Sequence, residues 1–315
     1  YQNMSTPATN CAKLSGTGPK KIVFMRSKSW NATVNDFIWQ ASATRDRFLA
    51  TDPFKTNQSQ FSFYADLKKQ VEDNSALMTS RSSCGGGAFE YVILFADQSN
   101  PAIGMSASGS RVVLVNISKA DLVNVDSALS VPYAALRGTT RAIAGLQEER
   151  YAVTSSGRVD LPMTNCVLDP FNGYRDRTTN RIYGAIDAKG CRYEKDSSNG
   201  QAYYRPTSQS IMSSANVASV ANPPPAPRPK WFIGNDFGFD IPPANSAPAT
   251  PPAPADSQRF NVVSCGYLFS AIKGEPITKE NALKNFPACL NMDTAKGGIP
   301  PVAPKPVITT VGKPS

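Results

Sequence analysis

The stretch 137-RGTTRAIAGLQEERY-151 sets two arginines, Arg137 and Arg141, four residues apart and follows them with Gly145, Leu146, Glu148 and Glu149. Read as a helix, this spacing brings both guanidiniums onto one face, because residues i and i+4 are surface neighbours. The helix is expected from about Val131 to Arg150, weakened by Gly138 and two threonines. On this stretch alone the plain reading is an amphipathic helix whose arginines bridge to Glu148 or Glu149. An apolar strand, 111-RVVLVN-116, stands ahead of it, so strand followed by helix is the local unit.

Working outward, the same alternation recurs. The runs 21-KIVFM-25, 61-FSFYA-65 and 89-FEYVILFA-96 read as strands, and Asn35 to Ala50 has helical apolar spacing that ends before Asp52-Pro53. The strands lie too close together for a purely β-α-β chain. The expected fold class is therefore α/β in the broad α+β sense, a mixed sheet with helices packed on it.

The organisation expected along the chain is an N-terminal arm over 1–19 tied down by Cys11, a main domain over 20–215, and a Pro-rich arm over 216–257. A small disulfide module over 258–292 and a Pro/Lys-rich tail over 293–315 complete it. The Pro-rich arm contains PPPAPRP and TPPAPA, which favour polyproline II over helix or sheet. The module reads as a strand 260-FNVV-263, Cys265, an apolar turn, and a helix from Thr278 through Asn285 closed by Cys289. In the tail, 307-VITTV-311 is a candidate added strand.

Composition restricts the chemistry. The 315 residues include no histidine, which removes the commonest zinc ligand and general base and any Ser–His or Cys–His nucleophile. The six cysteines, Cys11, Cys84, Cys166, Cys191, Cys265 and Cys289, are widely spaced and form no CxxC pair. They read as disulfides formed in an oxidising compartment, with local pairing Cys166–Cys191 and Cys265–Cys289, and Cys11–Cys84 by elimination. The first residue is Tyr1, not methionine, in keeping with a processed N-terminus. The expected location is secreted, extracellular or cell-surface, with the periplasm open. The net charge of +9 is scattered and not interleaved with aromatics, so nucleic acid is not an expected partner. No apolar run reaches the length of a membrane helix. No cofactor is expected.

Two further constellations carry little. Asp36, Asp46, Asp66 and Glu90 could supply a carboxylate pair for glycosidase-type hydrolysis, but nothing in their spacing marks one. The run Ser82–Gly87 has the glycines of a phosphate loop and lacks its lysine.

The ordered set around the opening stretch says more. An HExxH helix holds one zinc ion with two imidazoles and sets the glutamate beside the attacking water. Here those three positions are Arg137, Gly138 and Arg141. Gly145, Leu146 and the acidic pair follow, then Tyr204-Arg205-Pro206 and Ser210-Ile211-Met212, with 52-DPF-54 far upstream. Taken together, residues 20–215 resemble the IgA-peptidase family of zinc metallopeptidases. The resemblance implies a zincin-like fold with Met212 in the methionine turn beneath the former metal site. Both histidine ligands and the general base are absent, so it implies the scaffold without the reaction and without a metal. It also raises the expectation that a guanidinium from Arg137 or Arg141 takes the metal's place and pairs with Glu148 or Glu149.

Three functional readings follow. The first is a non-catalytic pseudo-metallopeptidase acting as a structural or interaction subunit of an extracellular assembly, meeting itself or other surface proteins through the Pro-rich arms. The second is a peptide- or glycan-binding module using the retained cleft. The third is a carboxylate-based hydrolase.

Overall fold

Apolar runs flanked by polar residues pair into one five-stranded mixed sheet. In a computed structural model of the chain, which describes residues 11–30, 33–71, 84, 90–97, 111–117, 125–147, 149, 164–167, 169–183, 204–207, 210–213 and 258–295, the strands are β1 (Cys11–Gly16), β2 (Lys20–Ser27), β3 (Phe61–Val71), β4 (Glu90–Ala96) and β5 (Val112–Asn116). Their order is β1-β3-β2-β4-β5. The pairings β3-β2, β2-β4 and β4-β5 are parallel, and β1 runs antiparallel against β3. Parallel strands covered on both faces need continuous apolar runs, which is how β2 and β4 read. The expected mixed sheet with packed helices is present.

Register decides which residues meet the helices. Phe24 stands opposite Ile93 and Ala65, and Phe95 opposite Val115. This face joins the main core with helix α1 (Val34–Ala50) and helix α2 (Val125–Ala144). The alternate residues Val23, Met25, Val92 and Leu94 form a smaller cluster on the opposite face, against which Cys84 packs. The Cys11–Cys84 disulfide ties that cover to β1.

Helix α1 begins where Thr33 and Asp36 cap each other: Asp36 N–H donates to Thr33 Oγ1 at 3.1 Å and Thr33 N–H to Asp36 Oδ2 at 3.4 Å. Arg45 on this helix is only 1% exposed; it donates to the Leu14 carbonyl at 3.1 Å and to Asp46 Oδ1 at 2.7 and 2.9 Å. It thereby fastens β1, a segment read from sequence as part of an arm, to the body of the protein. Helix α2 starts at Val125 and stops at Ala144, where Gly145 takes a left-handed φ of 63°. Glycine adopts that conformation without a Cβ penalty and ends helices for this reason. The expected run to Arg150 is therefore too long, and Glu149 lies beyond the helix.

The segment 260-FNVV-263 is not a strand. Asn261 is the N-cap of helix α3 (Val262–Lys273), its Oδ1 accepting from Ser264 N–H at 2.8 Å. Helix α4 (Lys279–Asn291) follows, capped by Thr278, and runs past Asn285 through Pro287 to beyond Cys289. The Cys265–Cys289 disulfide joins the pair. Phe260, Val263, Leu268 and Phe286 belong to the same core cluster as Phe24 and Phe95, so the C-terminal helices pack on the sheet domain. No helix among the described residues is long and apolar enough to cross a membrane. The expected segments 216–257 and 296–315, with 307–311, lie outside the described residues.

The α3–α4 contact is close at Gly266, where an added Cβ would stand 2.3 Å from Phe286 Cδ1 and 2.8 Å from the Ala282 carbonyl oxygen. Gly266→Ala gains about 1 kcal/mol of helix propensity. Overpacking against a buried ring and a backbone oxygen costs about 1–3 kcal/mol. Urea denaturation is expected to show a net loss of stability; a more stable variant would contradict this packing.

Candidate functional site

Immediately after α2 the chain turns back into the protein, and Glu149 is buried completely. Four side chains from three other segments close around its carboxylate. Oε1 accepts from Asn165 Nδ2 at 2.8 Å, Asn261 Nδ2 at 2.7 Å and Ser264 Oγ at 2.9 Å. Oε2 accepts from Ser210 Oγ at 2.6 Å and again from Asn261 Nδ2 at 2.9 Å. The Glu149 backbone is also used: its N–H donates to the Met212 carbonyl at 2.9 Å, and Arg205 Nη1 donates to its carbonyl at 3.0 Å.

Each donor is positioned by its own local structure. Asn165 accepts Gln147 N–H at 2.7 Å and donates to the Gln147 carbonyl at 2.9 Å, clamping the strand of chain that follows Gly145. Ser210 Oγ accepts Met212 N–H at 3.1 Å and so shapes the turn that carries Met212. Asn261 caps α3 with its oxygen while its amide nitrogen serves Glu149. The carboxylate thus sits at the positive end of α3, where a negative charge is favoured. Tyr174 closes the wall, its hydroxyl 2.7 Å from the Asn165 carbonyl and 2.8 Å from that of Tyr204.

Burial pushes the Glu149 carboxyl above its usual range, and the hydrogen bonds from Ser210, Asn165, Asn261 and Ser264 pull it part of the way back. Tyr174 is raised well above the ordinary tyrosine value, first by its own burial and then by the Glu149 charge. The arginines expected to neutralise this carboxylate are not among its donors. Arg137 and Arg141 stand half-buried on α2, while Gly138, Thr139 and Thr140 between them are buried. The helix presents Thr140 to the turn, its hydroxyl 3.6 Å from Met212 Sδ. Met212 is 2% exposed.

The structure therefore brings together Glu149, Met212 and the α2 helix, and leaves the arginine pair apart from the carboxylate's hydrogen-bond shell. Glu148 and Cys191 lie outside the described residues. Cys166 is disulfide-bonded, while Cys11–Cys84 and Cys265–Cys289 pair as expected. Asp36 caps α1, Asp46 pairs with Arg45, and Asp66 is buried and accepts Lys68 N–H at 3.1 Å, so these three serve separate local structures. The Glu90 side chain lies outside the described residues. Asp52, from the DPF segment, accepts Thr56 N–H at 3.1 Å and Asp293 N–H at 2.9 Å, which links the end of α1 to the end of α4.

The residues present do not fit a zinc ion. Two guanidiniums repel a cation, Gly138 has no proton acceptor, and both Glu149 oxygens already accept hydrogen bonds. Among the described residues, no three His, Cys, Asp or Glu side chains are grouped to hold a metal. Two cavities of about 420 and 680 Å³ exist elsewhere, and neither is lined by Arg137, Arg141, Glu149 or Met212. Sequence reading missed Asn165, Asn261 and Ser264. Asn261 carried a signal, an N-cap residue three positions before a serine at the head of an apolar run.

Glu149→Ala strands buried amide and hydroxyl donors and is expected to cost about 3–5 kcal/mol in chemical denaturation. Glu149→Gln keeps the volume but sets an amide against donors, at about 1–3 kcal/mol. Because the folded carboxyl titrates above the ordinary glutamate value of 4.5, the folded state binds its proton more tightly than the unfolded chain. Its contribution is fully present below that ordinary value and is lost as pH rises through the folded one. The stability gap between wild type and Glu149→Gln is therefore expected to shrink as pH rises from about 4.5; a gap that widens would contradict the direction of the shift.

No protein-family model matches the chain and no curated protein matches it.

Proposed function

We propose that the chain is a non-catalytic, peptidase-like protein that serves as a structural or interaction subunit of an extracellular or cell-surface assembly. The observation that carries this reading is the sealed carboxylate of Glu149. A zinc peptidase needs acidic groups free to bind the metal or accept a proton. Glu149 has no free oxygen, and it joins the Met212 turn to the cap of α3. The arrangement suits a scaffold held together where a reaction centre would stand.

Other features support the same reading. The ordered residues of the family resemblance, Gly145, Leu146, Glu149, Arg205 and Ser210-Ile211-Met212, lie in segments bonded to one another. The disulfides suit an oxidising compartment. The Pro-rich segments suit extended arms, since polyproline II loses little entropy when it docks.

Native material, sized by light scattering and viewed by negative-stain electron microscopy, is expected to form polymers or large regular oligomers. Deleting residues 222–256 is expected to leave folded monomers. A native monomer with zinc-dependent peptidase activity would overturn the proposal.

A further inference from the structure

A short hairpin, 175-RDRTTNRI-182, shares a cleft with the first two turns of α4. Its arms are paired by the Arg175–Ile182 bridge and by Asp176 N–H donating to the Arg181 carbonyl at 2.8 Å. The chain on either side of it is pinned to α4, by the Tyr183 and Phe286 rings, whose centroids lie 4.8 Å apart edge to face, and by Lys279 Nζ donating to the Asn172 carbonyl at 2.5 Å. Between hairpin and helix lies the cleft of about 680 Å³.

Its walls carry four cationic side chains, Arg175, Arg177, Lys279 and Lys284, and two acidic ones, Asp176 and Glu280, a surplus of two positive charges. The two acids are already engaged. Asp176 accepts Thr178 N–H at 2.9 Å and Thr179 Oγ1 at 2.6 Å, which builds the hairpin tip. Glu280 pairs with Lys284 at 3.3 Å. Arg177 and Lys279 feel each other directly. Partial burial first and the Arg177 charge second hold Lys279 below the usual lysine range, against the weaker pull of Asp169. The positive end of α4 adds a field of the same sign.

We propose that this cleft binds a phosphate group in its dianionic form, with Arg177 and Lys279 as its principal donors. Two surplus charges match a phosphate monoester or free phosphate, which carries about −1.5 to −2 at neutral pH. Counted over the residues that line the cleft, a carboxylate or sulfate ester leaves one charge uncompensated. Guanidinium and ammonium donors on opposite walls suit a group with three oxygens to satisfy. This inference stands apart from the peptidase-like reading, since neither Glu149 nor Met212 takes part.

The test is isothermal titration of the full chain at fixed ionic strength with inorganic phosphate, glycerol 3-phosphate and methyl sulfate. Saturable binding of a phosphate probe is expected, about tenfold tighter than that of methyl sulfate. Arg177→Ala, at an exposed tip, is expected to weaken it about tenfold with an unchanged melting temperature, and Arg177→Glu to abolish it. Tighter binding of glycerol 3-phosphate supports a group carried on a larger molecule, and equal binding supports the free ion. Absence of saturable phosphate binding, equal affinity for methyl sulfate, or an Arg177→Glu variant that binds like wild type would each overturn the proposal.

Discussion

A carboxylate taken fully out of water is costly unless every lone pair finds a donor. Among the described residues, Glu149 meets that requirement with neutral amides and hydroxyls, and these come from parts of the chain as distant as Asn165, Ser210, Asn261 and Ser264. Each contact is local chemistry of an ordinary kind, an N-cap, a serine turn or an asparagine clamp. Together they set where the segment after α2, the Met212 turn and the C-terminal helices stand relative to one another. Losing one donor leaves a buried charge short of a partner, so the arrangement is all-or-none in character.

The same fastening recurs on a smaller scale. Asp52 joins the turn after α1 to the segment after α4, and Arg45 joins α1 to β1. Between these polar links runs one apolar core, from Leu14 and Phe24 to Phe286. The C-terminal helices are thus part of the sheet domain's interior, and their disulfide fastens a pair of helices that already share that core. The charged cleft beside α4 depends on this too, because the hairpin rests on Phe286 through Tyr183.

Much of the sheet could be read from the chain because parallel strands are apolar on both faces, and β2, β4 and β5 announce themselves as runs. Helix α1 was equally plain, from Phe37, Ala41 and Phe48 at helical spacing. Strand β1 gives little signal, since Leu14 is its one buried residue and pairing with β3 supplies the rest. Helix α3 begins in what reads as a strand because Val262 and Val263 are β-branched, while the cap that overrides their preference is a single asparagine. In the sequence pattern Gly145 falls within a helix, whereas its left-handed backbone ends it. The site was half visible. Glu149, Ser210 and Met212 stood in recognisable segments, whereas Asn165, Asn261 and Ser264 meet them only through tertiary packing that no local pattern encodes.

The central claim is that Glu149 is a closed structural carboxylate, with both oxygens occupied by hydrogen-bond donors. The most direct measurement follows the Glu149 carboxyl resonance by NMR in protein carrying isotope-labelled glutamate, during titration with zinc, using Glu149→Gln to assign the signal. The account predicts that the resonance stays in place through a several-fold excess of zinc. A saturable shift complete at one equivalent would contradict it.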